Sequence, residues 1–184
     1  MNIKLETERL ILREVLSTDV DKFFELDSNP NVHKYVGNKP VKDKKEIEKI
    51  IQNLQQQYAE NGIARWAVID KTTNELIGWS GIKLIREPMN NHHNFYELGY
   101  RFIERFWGKG FATETTMALV DYAFENLSTE NIYAICDIEN IGSKNVLEKT
   151  GLKLVEIFDH EGTAHNWFKM TKSDWLHKKA KQAT

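Results

Sequence analysis

The chain has little cysteine and proline and no long apolar segment. It contains one cysteine, Cys136, and three prolines in 184 residues, so no intrachain disulfide can form and a cysteine-rich metal site is excluded. A single cysteine suits a reducing compartment, and we expect a cytoplasmic protein. No stretch approaches the ~18 apolar residues that span a bilayer. Residues 1–9 alternate charged and apolar side chains, so we also expect no signal peptide.

The chain also lacks a strong charge of either sign. Its formal net charge is −2, whereas a general nucleic-acid binder usually carries a strongly basic face. The hydrophobic and charged fractions, 41% and 28%, are ordinary for a globular protein. With no internal repeat or low-complexity linker, the sequence predicts one domain over residues 1–184, with neither a nucleic-acid nor a membrane partner.

Hydrophobic spacing predicts the order of the secondary structure. Strands are expected at residues 10–16, 65–70, 76–85, 95–103, 132–138, 153–158 and 165–170. Helices are expected from a cap at Ser17 or Thr18 to about Asn29, then at residues 43–61, 113–126, 143–149 and from Ser173 onward. This order predicts an α/β (α+β) fold, with a mixed, mostly antiparallel sheet of six to seven strands flanked by helices.

A glycine-containing loop joins the strand at 95–103 to the next helix. Free N–H groups at a helix N-terminus favour an anion, and a diphosphate is a common large one. Gly108 and Gly110 permit positive φ and keep Cβ atoms away from phosphates, and Arg105 and Lys109 add positive charge. The alternative is that the two glycines only shape a tight turn.

Two familiar nucleotide motifs do not fit this loop. A Walker loop needs four residues between its glycines, and this loop has one. The dinucleotide fingerprint fails at its third glycine, where Thr113 stands, and Asp137 only weakly represents its ribose-binding acid.

The loop resembles the glycine signature of the GNAT acetyltransferase superfamily, Arg/Gln-x-x-Gly-x-Gly/Ala. Arg105-Phe106-Trp107-Gly108-Lys109-Gly110 matches it in full. Segments 6–13, 97–100, 107–114 and 140–151 are similar, in order, to the branch of ribosomal-protein N-terminal (alanine/serine) acetyltransferases. The resemblance implies the GNAT fold with a central β-α-β coenzyme A site, and an N-acetyltransferase that uses acetyl-CoA without a metal.

The resemblance also assigns groups that bind the cosubstrate. It implies that the loop holds the diphosphate and that the preceding strand binds the pantetheine arm and points an N–H at the acetyl oxygen, with Gly99 leaving space for the acyl end. Asn140 would hydrogen-bond the pantetheine, or alternatively serve as a turn or cap residue. The expected set is Leu98, Gly99, Tyr100, Arg101, Phe102, Ile103, Arg105, Phe106, Trp107, Gly108, Lys109, Gly110, Phe111, Ala112, Asn140, Ser143, Asn145 and Lys149.

Glu97 is the expected catalytic base, because it shares a strand with the acyl site and burial can raise a carboxyl pKa. The alternative is that Glu97 orients substrate or pairs with a neighbouring cation. Strand alternation turns Tyr96 and Tyr100 away from Glu97, so both are expected to be core or wall residues.

The tyrosine that many relatives use to protonate the thiolate is missing, because its position falls at about Leu147. The branch resemblance offers Ser143 as the substitute, although Ser143 could equally be the N-cap of its helix. Asn145 stands where relatives often carry arginine, and Lys144 or Lys149 would have to compensate.

The expected reaction is direct acetyl transfer in a ternary complex, to a protein N-terminal α-amine. The rivals are a small amine (a polyamine, an aminoglycoside or an amino-acid derivative) and a non-catalytic coenzyme A sensor. No metal is expected, because the adjacent His92 and His93 point apart and no acid or cysteine completes a ligand set. The resemblance suggests a monomer or a homodimer.

Overall fold

Eight strands form one mixed sheet in a computed structural model that describes residues 3–182. The strands are β1 (Ile3–Glu6), β2 (Leu10–Arg13), β3 (Arg65–Asp70), β4 (Glu75–Ile85), β5 (Phe95–Phe102), β6 (Asn131–Asp137), β7 (Lys153–His160) and β8 (Thr163–Thr171). Their order is β1-β2-β3-β4-β5-β6-β8-β7. Every neighbouring pair is antiparallel except β5 with β6, which is parallel.

Six helices flank this sheet: α1 (Val20–Asp27), α2 (Pro30–His33), α3 (Lys44–Asn61), α4 (Phe111–Asn126), α5 (Ile141–Thr150) and α6 (Lys172–Gln182). Short 3-10 turns lie at Ser17–Asp19 and Glu104–Phe106. Helix α3 shows why the sequence defines its bounds so well. Asp43 and Glu46 form a capping box at its start, and Gly62, at φ 69°, ends it.

The expected sheet is confirmed, with one strand more than predicted. The additional strand is β1, four residues long and paired with β2. The predicted cap at Ser17 or Thr18 is wrong, because neither hydroxyl caps the turn or α1. Instead the carboxylate of Asp19 accepts the Leu16 N–H at 2.8 Å and is held by two hydrogen bonds from Arg13.

The two faces of the sheet pack against different helices. One face buries a cluster that includes Trp66, Ile82 and Leu98 together with Leu119 of α4 and Leu147 of α5. The opposite face buries a second cluster, which joins α1 and α3 to the sheet through Phe23, Ile47, Ile51, Ala67 and Ile69. Within residues 3–182, no helix is long and apolar enough to cross a bilayer.

Candidate active site

The sheet opens between its two parallel strands. Strands β5 and β6 pair only at Tyr96 with Ile132 and at Glu97 with Tyr133, although β5 continues to Phe102 and β6 to Asp137. Beyond these pairs the two strands separate, and we call the gap the β5–β6 opening. The segment predicted to bind pantetheine, residues 98–103, runs along this gap.

The glycine loop follows β5 directly. Gly108 and Gly110 have φ of 73° and 82°, and α4 begins at Phe111, two residues earlier than predicted. Across the described residues, the backbone N–H groups of 108–113 have no intramolecular hydrogen-bond partner. A row of free N–H groups at a helix N-terminus can hold an anion, as the loop sequence predicts.

Other groups of the predicted set are already engaged. The indole Nε1 of Trp107 donates to the Phe102 carbonyl at 2.7 Å, and the residue remains 48% exposed. The Ile103 N–H donates to the Ile77 carbonyl. The side chain of Arg105 forms ion pairs with Glu25 and Glu75, so its charge is shared with two carboxylates rather than held free for a phosphate.

Three further residues of the predicted set, Lys109, Asn145 and Lys149, are exposed. Lys109 lies in the loop with its ammonium 5.0 Å from the Phe106 ring centroid. On α5, Asn145 and Lys149 are exposed as well, so their contact with the cosubstrate stays a prediction.

Residues near the N-terminus hold the loop in place. The carboxylate of Glu114 accepts hydrogen bonds from the Thr7 hydroxyl at 2.5 Å, the Arg9 N–H at 3.0 Å and the Arg9 Nε at 2.6 Å. Arg9 also donates to the Lys109 carbonyl at 3.0 Å and covers the Phe111 ring. This Thr7–Arg9–Glu114 clasp neutralises a carboxylate that would otherwise repel a bound diphosphate. Both segments belong to the family motifs, but their contact was not predicted.

The clasp predicts a pH dependence of stability. Burial opposes ionisation of Glu114, but the hydrogen bonds from Thr7 and Arg9 and the charge of Arg9 outweigh it and lower its pKa below the ordinary 4.5. A depressed folded pKa contributes stability that is full above about pH 4.5 and is lost as the pH falls through the folded pKa. Urea unfolding of Glu114→Gln should therefore show a smaller fall in stability below pH 4.5 than the unsubstituted chain. Glu148→Gln, at an exposed site on α5, should keep the full fall; equal slopes for all three proteins would contradict the prediction.

Glu97 lies on the opposite face of β5 from α4, buried at 8% exposure, in an ion pair with Arg65. Arg65 also donates to the carbonyls of Gly81 at 2.7 Å and Glu97 at 2.9 Å. The alternative prediction, that Glu97 pairs with a neighbouring cation, is therefore confirmed. Its role as a base stays a prediction. Gly99 makes room for Arg65, because a Cβ there would lie 2.9 Å from Arg65 Nη2. That it also leaves space for the acyl end stays a prediction.

Sequence reasoning missed Arg65, although a signal for it exists in the strand register. Arg65 pairs with Gly81, and Gly81 pairs with Gly99, so two glycines lie in line beside the arginine. Trp79 packs against two guanidinium groups, with Arg65 and Arg101 each 5.3 Å from its ring centroid. On this face of the sheet, Arg65 therefore contacts both a carboxylate and an aromatic ring.

A second buried carboxylate on this face is paired in the same way. Asp27 accepts a hydrogen bond from Arg101 at 2.6 Å, and His33 lies 3.5 Å away. Burial first, and then the charge of Arg101, lower the pKa of His33, so this histidine is neutral at neutral pH.

The start of α5 faces the β5–β6 opening. Asn140 is its N-cap, and its side-chain oxygen accepts the Ser143 N–H at 3.0 Å. The predicted N-cap role of Ser143 is therefore wrong, because Asn140 already fills it. The Ser143 hydroxyl is left free to contact Tyr100, whose hydroxyl lies 3.0 Å from it. Leu147, at the position of the missing tyrosine, is buried in the core.

The two adjacent histidines lie in different surroundings. The His92 ring packs against both Tyr133 and Trp167, while His93 is exposed. In the part of the chain that the structure describes, no group of three or more His, Cys, Asp or Glu side chains is arranged to hold a metal ion.

Solved structures share this fold and differ in what they acetylate. A spermidine N-acetyltransferase from Vibrio cholerae, solved with CoA and spermine, has a TM-score of 0.74 at 22% identity, covering 92% of this chain and 99% of that one. RimL, a ribosomal L7/L12 alpha-N-protein acetyltransferase solved with CoA, has 0.77 at 18%, covering 92% and 98%. The aminoglycoside acetyltransferase AAC(6')-Ib, solved with coenzyme A, has 0.75 at 15%, covering 92% and 99%. At these identities the likeness shows the fold alone.

Sequence comparison identifies the family. The family model described as an acetyltransferase (GNAT) domain matches residues 9–153. The uncharacterized N-acetyltransferase YoaA of Bacillus subtilis is 32% identical over 149 residues, 81% of this chain and 82% of that protein. The uncharacterized N-acetyltransferase p20 of Bacillus licheniformis is 34% identical over 143 residues, 78% of each. With its fold, opening and glycine loop, this chain therefore belongs to the GNAT family of N-acetyltransferases.

Proposed function

We propose that the chain transfers an acetyl group from acetyl-CoA to a protein N-terminal α-amine, directly and in a ternary complex. The observation that carries the choice of donor is the β5–β6 opening leading to the unpaired N–H groups of residues 108–113. An extended amide arm followed by a diphosphate fits a strand edge followed by an anion site. Asn140, at the mouth of the opening, would contact the arm.

Acetyl-CoA supplies an activated thioester carbonyl, and the chain supplies its surroundings. A β5 N–H directed at the carbonyl oxygen would stabilise the negative charge that develops there. Glu97, held by Arg65, is placed on the same strand and accepts the proton that the attacking amine loses, directly or through water. Asparagine, serine and backbone groups do the binding, and no metal is required.

Charge balance near Glu97 supports a monoamine acceptor over a polycation. Glu97 and Asp27, two of the buried carboxylates on this face, are each paired with an arginine, Arg65 and Arg101. A polyamine site would need unpaired acids to match several cations. An α-amine has a pKa near 8, against ~10.4 for lysine, so more of it is neutral at neutral pH. A weak carboxylate base is then sufficient to accept its proton.

An acceptor screen with mass detection tests the proposal. Peptides with a free N-terminal alanine or serine should gain one acetyl group, and the same peptides with a blocked N-terminus and an internal lysine should gain none. Spermidine and an aminoglycoside are the small-amine arm. Acetylation of that arm alone would move the function to a small-molecule enzyme, and tight CoA binding without any turnover would indicate a sensor.

The transfer is expected to bypass Cys136. Burial is the main cause that raises the pKa of this thiol, which disfavours the reactive thiolate. We therefore expect that intact mass analysis after incubation with acetyl-CoA alone shows no acetylated protein, and that Cys136→Ala retains turnover. An acetyl adduct that disappears in Cys136→Ala would show a covalent route instead.

A further inference from the structure

The side chain of Tyr100 packs against the core, and its hydroxyl reaches Ser143 beside the β5–β6 opening. Its oxygen is 3.0 Å from the Ser143 hydroxyl and 3.2 Å from the Ser143 carbonyl, across from β5 at the start of α5. The phenol can donate to the Ser143 carbonyl, and because the Ser143 hydroxyl can donate to the phenol oxygen, the phenol hydrogen can also turn to an acceptor in the opening. In the described chain, no other tyrosine contacts Ser143.

The strand register places this hydroxyl on the face of β5 that carries α5, opposite the face that carries Glu97. Extending the last β5–β6 pair, Glu97 with Tyr133, by three residues brings Tyr100 opposite Cys136 across the opening. Strand alternation sends the side chains of Glu97 and Tyr100 to opposite faces of β5. A base and an acid on opposite faces of one strand can act on the two ends of a group held in the opening between them.

We propose that Tyr100 is the catalytic acid for the leaving thiolate, with Ser143 as its proton relay. The inference rests on the proposed transfer from acetyl-CoA. It assigns the role of the missing helix tyrosine, whose position is filled by the buried Leu147, to a tyrosine on a strand.

The protons balance in this scheme. The amine nitrogen forms a bond to the carbonyl carbon, and the carbon–sulfur bond breaks with its electron pair going to sulfur. Tyr100 gives its hydroxyl proton to that sulfur and regains one through Ser143 from solvent. The proton that the amine loses goes to Glu97 and then to solvent, so the reaction consumes no net proton.

The phenol of Tyr100 is protonated, as the scheme requires. Burial is the main cause that raises the pKa of its phenol, and the Ser143 hydrogen bond opposes this only in part. The hydroxyl therefore stays protonated over the neutral range and acts as a donor. Tyr96 lies on the same face of β5, four residues earlier, and provides a matched control.

Steady-state kinetics give the first test. Tyr100→Phe should lower kcat by about 100-fold, the lower end of what a positioned acid contributes, with the Kd of acetyl-CoA unchanged. Ser143→Ala should lower kcat by a smaller factor, and Tyr96→Phe should leave kcat unchanged. A Tyr100→Phe variant with an unchanged kcat would overturn the proposal, as would one that loses kcat only in step with acetyl-CoA affinity.

Calorimetric binding gives a second readout that does not depend on turnover. At pH 9, the unsubstituted protein should bind CoA roughly threefold to tenfold more tightly than desulfo-CoA, which is the worth of one hydrogen bond. Tyr100→Phe should lose this preference and Tyr96→Phe should keep it. An unchanged preference in Tyr100→Phe would overturn the contact with sulfur. Absence of turnover in the unsubstituted protein would instead contradict the proposed function, and the binding comparison would still decide the contact.

Discussion

Replacing both Gly108 and Gly110 with glutamate is expected to weaken acetyl-CoA binding at least about 100-fold, or ~2.7 kcal/mol. Both glycines have positive φ, which side chains adopt only under strain. Two added carboxylates would also stand beside the free N–H groups of residues 108–113 and repel a diphosphate. Calorimetry with acetyl-CoA measures the loss, and circular dichroism shows whether the variant is folded.

Gly162→Glu is the matched control for this substitution. Gly162 also has positive φ, 81°, with open space around it, but it lies in the turn between β7 and β8. This variant adds a glutamate under similar backbone strain but outside the glycine loop. It should therefore bind acetyl-CoA normally. Retained binding by the folded double variant would remove the diphosphate role of the loop, and binding lost equally in both variants would trace the effect to strain or charge in general.

Arg65→Met is expected to lower the free energy of unfolding by about 3 kcal/mol, because it leaves Glu97 buried without its cation. The side chains of Arg65 and Glu97 are only 12% and 11% exposed, so water cannot replace the lost partner. The substitution also removes the hydrogen bonds to the carbonyls of Gly81 and Glu97. Urea unfolding monitored by circular dichroism measures the loss.

Two further variants separate the buried pair from ordinary charge removal. Arg65→Met with Glu97→Leu should recover part of the lost stability, because neither charge then remains buried. Lys44→Met breaks an exposed ion pair with Asp21 and should cost no more than about 1 kcal/mol. An Arg65→Met loss as small as that of Lys44→Met would contradict the importance of the buried pair.

Local signals in the sequence predicted most of the fold. The capping box of Asp43 and Glu46 and the stop at Gly62 are decided within a few residues, and α3 has the bounds they imply. The strand–loop–helix order around Gly108 and Gly110 is likewise local, and the structure shows the expected positive φ at both. Strand β1 was missed because four residues carry too little pattern.

The contacts that complete the site depend on residues far apart in the chain. Thr7 and Glu114 are 107 positions apart, and Arg65 reaches Glu97 over 32 positions. Periodicity shows which face a side chain lies on, but not which partner the register brings to it. The Ser143 error has a similar origin: two residues could cap α5, and only the backbone path shows that Asn140 does.

The short parallel pairing of β5 with β6 also divides the sheet into two blocks that few hydrogen bonds connect. On one side of it lie five strands joined by antiparallel pairs, β1 to β5, and on the other lie three, β6 to β8. A ligand that hydrogen-bonds along β5 within the gap would act as an inserted strand and make the two blocks one cooperative unit. Amide hydrogen exchange at residues 98–102 and 134–137 should then slow together when the donor binds, so the substrate would complete the sheet it reacts in.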